Sequence, residues 1–280
     1  VIPVLFLNTL FCSAIFLPLI LLSQYTHVLD SSIFHVGAGG WEMHRWIILK
    51  SVIVLLSWVF GYFAIAQLPL TIVGPINATR PVMTLVGAML VFGERLNAWQ
   101  WVGVSLAIIS LFLLARSGKR EGIDFKHNKW IFFLVLAAMM GTCSGLLDKY
   151  LMASPENGGV GLDRMMAQSW YNIYQCIMMG VVLLVYIFNQ RKKAERTVHF
   201  SWKWSILLIS IFLSMADFAY FYALSLPGAM ISIVSMVRRG SVLVSFLCGA
   251  LLFREKNLKA KAIDLCFVLL GMIFLWIGSR

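Results

Sequence analysis

The chain has 280 residues, 60% of them hydrophobic and 12% charged, with a mean hydropathy of +0.86 and a formal net charge of +11. Soluble chains carry about 25% charged residues, so the composition excludes a soluble globular domain. The positive balance does not point to nucleic acid, because the basic residues gather between apolar runs, in "RSGKREGIDFKHNK" (116–129), "RKKAERTVHFSWK" (191–203) and "REKNLKAK" (254–261), as loops facing a cytoplasm and anionic lipid do.

In chain order, apolar segments predict helices over 1–24, 46–68, 71–92, 98–115, 130–152, 163–188, 202–224, 228–252 and 261–279. Each is about 18–26 residues long, enough to cross a hydrocarbon core of about 30 Å as a helix. Barrel strands are about half that length and alternate apolar with polar residues, which these do not. The expected fold class is therefore an all-α polytopic membrane protein, with nine helices present. The first segment starts at Val1 and lacks the basic flank and small-residue cleavage site of a signal peptide. It reads as a membrane helix whose upstream neighbour, the first helix of a larger fold, is absent from this chain.

The second and third segments hold one copy of an internal repeat. "YFAIAQLPLTIVGPINATR" (62–80) aligns without a gap on "YFYALSLPGAMISIVSMVR" (220–238). Tyr62 meets Tyr220, Leu68–Pro69 meets Leu226–Pro227, and Arg80 meets Arg238. Further on, "FGERLN" (92–97) matches "FREKNL" (253–258), and each copy runs into one more apolar helix. The chain thus divides into a first repeat (1–115, four helices, its opening helix missing), a basic inter-repeat loop (116–129) and a second repeat (130–280, five helices). A repeat of five helices, an odd number, puts the two copies in opposite orientations, the inverted plan of many secondary transporters.

The pattern of Leu-Pro, Pro, Arg-Pro and "FGER" before "WQWVG", with its second copy, resembles the EamA-like members of the drug/metabolite transporter superfamily. The resemblance covers essentially the whole chain. It implies ten helices in two inverted five-helix repeats around a central cavity, moving small metabolites in or out. It does not supply a substrate, and it does not require the Arg238–Arg239 pair. It also implies both termini inside. The charge count points the other way, because the basic loops fall on one side and Arg45, Lys50, Arg95, Lys149, Arg164 and Arg280 on the other.

Arg80 lies near the centre of its segment, as do Arg238 and Arg239 of theirs. A central arginine costs roughly 2.5–3.5 kcal/mol on insertion scales, so three of them predict a wet cavity or partners. Asp217 reads as the one acidic residue well inside a segment, while Asp148 and Lys149 sit near a segment end and can snorkel. The repeat-related Arg80 and Arg238 are expected to bind substrate at the midplane, since guanidinium grips carboxylate or phosphate bidentately. Arg239, about 100° round the helix from Arg238, is the expected partner of Asp217, which is also the candidate proton-coupling group.

Pro75 and Pro81 each free a backbone carbonyl one turn earlier; for Pro81 it is that of Asn77, beside Arg80, so Asn77 joins the substrate-binding set. "WYNIY" (170–174) is either an interfacial aromatic belt or a cavity wall with Asn172 as a polar contact. Tyr220 is a further candidate through its repeat mate Tyr62. Gly141 and Gly145, at G-x-x-x-G spacing, predict close helix packing.

The five cysteines all fall in apolar segments and the five histidines in polar ones, with no metal-binding spacing. No cofactor, metal or catalytic residue is expected. The function expected is a secondary transporter of a small anionic or zwitterionic metabolite working by alternating access, with an anion channel or a membrane-embedded lipid-modifying enzyme as alternatives. The expected partners are that metabolite and membrane lipid, with a homodimer allowed and no nucleic acid. The expected location is a bacterial inner (plasma) membrane.

Overall fold

A computed structural model describes residues 2–92, 97–120, 127–192, 203–226 and 258–278, with single helical positions at 234, 238, 244, 247, 248 and 251. The described residues form helices and turns, with no strand among them. The helices are α1 (Ile2–Tyr25), α2 (Trp41–Ile65), α3 (Leu70–Ala78), α4 (Arg80–Phe92), α5 (Ala98–Arg120), α6 (Lys129–Met152), α7 (Arg164–Lys192), α8 (Ser205–Ser225) and α9 (Leu258–Gly278). By length and composition α1, α2, α6, α7 and α8 can each cross a membrane. The expected helix over 228–252 lies largely outside the described residues.

Two boundaries differ from the apolar runs. The second segment was expected to open at residue 46, but α2 opens at Trp41, because Glu42, His44 and Arg45 lower the hydropathy of its first turn without disfavouring helix. Lys50, counted as a flanking charge, therefore lies nine residues inside the helix, about 14 Å along its axis. The segment 71–92 is two helices that meet at Thr79. Pro81 has no N–H for the Asn77 carbonyl, which removes one rung of the helical ladder at the join.

The matched Leu-Pro pairs both follow a helix end. The chain leaves α2 at Ile65, and Pro69 (φ −58°, ψ 141°) opens α3. It leaves α8 at Ser225, where Leu226 is extended (φ −70°, ψ 141°), the conformation a following proline imposes on its neighbour. Between α6 and α7, Gly158 and Gly161 take φ of 74° and 66°, the left-handed region open to glycine at no steric cost.

The helices form two compact units. Unit 1 comprises residues 1–55 and 148–226, and unit 2 comprises residues 56–147 and 227–280. In unit 1, α1 packs on α7 and α8. The Ser13 hydroxyl donates to the Asn172 carbonyl at 2.8 Å, Thr9 approaches Cys176, and Phe6 lies against Gly180. As residue numbers fall along α1 they rise along α7, so the two helices run antiparallel.

Unit 2 contains a second such pair. In α5 and α9, Asn97 donates to the Gly278 carbonyl, Trp99 stacks on Phe274 with ring centroids 5.9 Å apart, and Gly103 sits so close that an added Cβ would lie 2.7 Å from the Gly271 carbonyl oxygen. Its core joins Ala64, Leu68, Ile72, Val73 and Ile76 to Ile131 and Leu134 of α6. Ile72 and Ile76, four residues apart, lie on one buried face of α3.

The outward faces are apolar. Leu17 and Leu21 of α1, Val181, Leu184 and Phe188 of α7, and Leu208, Phe212 and Met215 of α8 are all exposed. Polar residues point inward instead, the reverse of a soluble bundle. The chain is an integral, polytopic all-α membrane protein.

Candidate functional site

In unit 2, the break between α3 and α4 positions Arg80 as the first residue of α4. Its Nη2 donates to the Ala137 carbonyl of α6 at 3.3 Å, and the same carbonyl accepts from the Ser57 hydroxyl at 2.7 Å. Gly141 makes room for this: a Cβ there would lie 2.5 Å from Arg80 Nη1 and 2.9 Å from its Cζ. The small residue expected to serve helix packing thus seats a guanidinium on the α6 backbone.

Two polar atoms at this break are buried without a partner, Arg80 Nε and Asn77 Oδ1. One is a charged donor and the other a neutral acceptor. Arg238, helical and exposed, lies near enough for its charge to act on Arg80. Two cations that repel each other beside unsatisfied polar atoms make a place where an anion is stabilised. Arg239 lies outside the described residues, and with it the expected Arg239–Asp217 pair.

In unit 1 the polar residues concentrate on an ion pair that the sequence reading missed. Lys50 of α2 and Asp148 of α6 are each 3% exposed and form a salt bridge. Asp148 also accepts from the Tyr220 hydroxyl at 3.2 Å. Lys50 Nζ lies 5.2 Å from the ring centroid of Tyr171 and 4.9 Å from that of Phe221, where the negative ring faces attract an ammonium. Tyr171 in turn donates its hydroxyl to Asp217.

Two expectations are corrected here. Asp148 sits near the end of α6, as expected, but it does not snorkel: it is as buried as Asp217. Lys50 is not a flanking charge, because Asp148 and two aromatic faces hold it inside. One signal in the sequence could have found the pair: Lys50 and Asp148 each stand within a helix-length stretch and carry opposite charges.

Of the remaining candidates, Asn172 is buried, and its Nδ2 donates to the Gln168 carbonyl of its own helix at 2.8 Å. The residues of "WYNIY" divide between buried and half-buried positions. Tyr171 is buried on Asp217, while Trp170 and Tyr174 pack edge-on around His44, whose Nδ1 is 2.8 Å from the Tyr174 hydroxyl. The expected binding set therefore divides by unit, with Asn77, Arg80 and Arg238 in unit 2 and Asn172, Asp217 and Tyr220 in unit 1. Among the described residues no group of His, Cys, Asp and Glu could hold a metal ion.

A solved crystal structure of another protein is similar over 100% of this chain and 88% of its own, with a TM-score of 0.64 at 12% identity, a likeness of fold alone. No curated protein matches the chain. The EamA-like transporter family matches residues 1–116, four of the predicted helices and the first copy of the motifs. Over that stretch the chain is similar to the EamA-like transporters, the family its Leu-Pro, Arg-Pro and "FGER" motifs resemble.

Proposed function

We propose that the protein is a secondary transporter that moves a small anionic or zwitterionic metabolite across the membrane by alternating access. The observation that carries the substrate class is the helix break at Thr79. Arg80 presents a buried Nε–H without a partner, Asn77 presents a buried oxygen without one, and Arg238 adds a second positive charge. A carboxylate or phosphate is the natural ligand of the guanidinium. The Asn77 oxygen suits the ammonium end of a zwitterion.

Discontinuous helix at membrane depth is where secondary transporters place substrate, and it is tolerated only when buried in protein or lining a cavity. The inverted repeat is part of this reading. It is supported by the antiparallel packing of α1 on α7 and of α5 on α9, each a pair of helices holding the same place in the two copies.

Thermal unfolding of the purified protein with a panel of anionic, zwitterionic and cationic metabolites tests the assignment. Stabilisation by an anion or zwitterion, lost in Arg80→Gln and in Arg238→Gln, is the expected result. Stabilisation by cations alone, or stabilisation that survives both substitutions, rules the arginine site out. Flux from liposomes that saturates and shows counterflow distinguishes the carrier from an anion channel, and absence of product from lipid distinguishes it from an enzyme.

A further inference from the structure

Lys50 and Asp148 form the centre of a wider layer in unit 1. The ion pair ties α2 to α6. Asp148 also accepts from Tyr220 of α8 at 3.2 Å. Lys50 Nζ rests over the rings of Tyr171 of α7 and Phe221 of α8, and Tyr171 donates to Asp217 of α8. Four helices thus meet at one level through directional contacts. The six residues that make them are each at most 8% exposed, so the layer is dry.

The layer lies toward one end of the unit. Its residues stand four to nine positions from the start of α2 and α7 and from the end of α6 and α8, about 6–14 Å along the axes. Those helix ends lie together. Trp46 and Tyr150 pack edge-on at 5.5 Å, nearer the ends than the ion pair. Phe34, in the loop between α1 and α2, stacks on Phe218 of α8 at 5.4 Å.

A lysine and an aspartate are a poor way to fix that end for good. Burial strips both ions of water, and a well-packed apolar pair of similar volume often holds a protein as firmly or better. What the charges offer is a second stable state. When the helices part, both ions regain their hydration, whereas a methionine and a leucine would lose by meeting water. An ionisable pair at membrane depth marks a functional element for this reason.

We propose that the Lys50–Asp148 pair is a latch that closes this end of unit 1 and opens during transport. The proposal rests on the transporter reading, because alternating access requires a closed end to open in each cycle, but not on the arginines of unit 2. In the closed state, which the structure holds, Asp148 neutralises Lys50, and the rings of Tyr171 and Phe221 cover it. In the open state the pair parts and each ion meets water. Two substitutions therefore act in opposite directions. Lys50→Met leaves Asp148 buried alone, which favours the open state that hydrates it. Lys50→Met/Asp148→Leu has no ion to hydrate and holds the end shut. The exchange Lys50→Asp/Asp148→Lys keeps a pair and keeps both states.

The test needs no metabolite. The reporter is Ser51→Cys, 0% exposed and next to Lys50, in a chain without the native cysteines. The protein is held in lipid nanodiscs, where both membrane faces meet the reagent, well below its unfolding temperature. The rate of reaction with a small hydrophilic methanethiosulfonate is measured. A matching chain that keeps only Cys12, buried in α1, reports general loosening, and each rate is taken relative to it. Against the native pair, the relative rate falls at least threefold in Lys50→Met/Asp148→Leu and rises at least threefold in Lys50→Met. The charge exchange stays within twofold of the native pair.

A relative rate that the double apolar variant leaves unchanged or raises overturns the latch, because a purely structural pair has no open state to lose. If Lys50→Met does not fold, the double variant and the exchange decide the matter. An exchange as slow as the double variant also overturns the proposal, since charge would not be what opens the end. Failure of every metabolite to stabilise the protein counts against the transporter reading instead, and the labelling rates still decide whether this end opens by its ion pair.

Discussion

Lys50 shows how a single residue can be misplaced by hydropathy alone. The apolar run begins four residues before it, so it reads as an interfacial lysine. The helix begins nine residues before it, and depth decides its partner. With both ions 3% exposed, removal of one leaves the other buried and uncompensated, at a cost of about 3–5 kcal/mol. Lys50→Met should therefore lower thermal stability steeply, and Lys50→Met/Asp148→Leu should recover most of the loss, as a double-mutant cycle by thermal unfolding will show. Tyr220→Phe removes one neutral donor from Asp148 and should cost about 1–3 kcal/mol in the same measurement. Gly141→Leu should displace the Arg80 guanidinium from the Ala137 carbonyl and abolish anion-dependent stabilisation without touching unit 1.

Among the elements, the join of α3 and α4 is the most informative. Its cause is legible in "NATRP": a proline withholds the N–H that the Asn77 carbonyl needs. Pro81→Ala restores that donor, so that α3 and α4 can join across Thr79 into one helix with its ladder complete. The expected outcome is a higher unfolding temperature with slower flux, because the break that presents Arg80 is lost; flux equal to wild type would show that the break does not serve transport.

The antiparallel pairs admit a direct check. Cysteines replacing Phe6 and Gly180 should join with a short bifunctional maleimide, and cysteines replacing Phe6 and Gln168 should not, since Gln168 lies toward the opposite end of the α1/α7 contact. Cysteines replacing Gly103 and Gly271 test α5 against α9 in the same way.

At the scale of the whole molecule, the two compact units cut across the two sequence repeats. Each unit takes a matched helix pair from both copies, α1 with α7 in one and α5 with α9 in the other. The contacts that join each pair are between residues far apart in the chain, and no linear reading of residues 1–115 and 130–280 displays them. The inside-out distribution of polarity follows from the solvent. Lipid rewards apolar outer faces, while every buried polar group must find a protein or water partner. Alkaline carbonate extraction should leave the protein in the membrane fraction.

The sequence by itself determined the class of the protein, the helices among its described residues, the likeness of residues 1–116 to the EamA-like transporters and the helix break beside Arg80. These depend on run length, on spacing and on a proline's missing donor, all local properties. Only the tertiary structure decided that Lys50 meets Asp148, that Tyr171 holds Asp217 and that Gly141 seats a guanidinium. Such pairings join residues up to 98 positions apart. They arise from which helix faces meet, and a hydropathy profile, which averages over faces, does not carry that information.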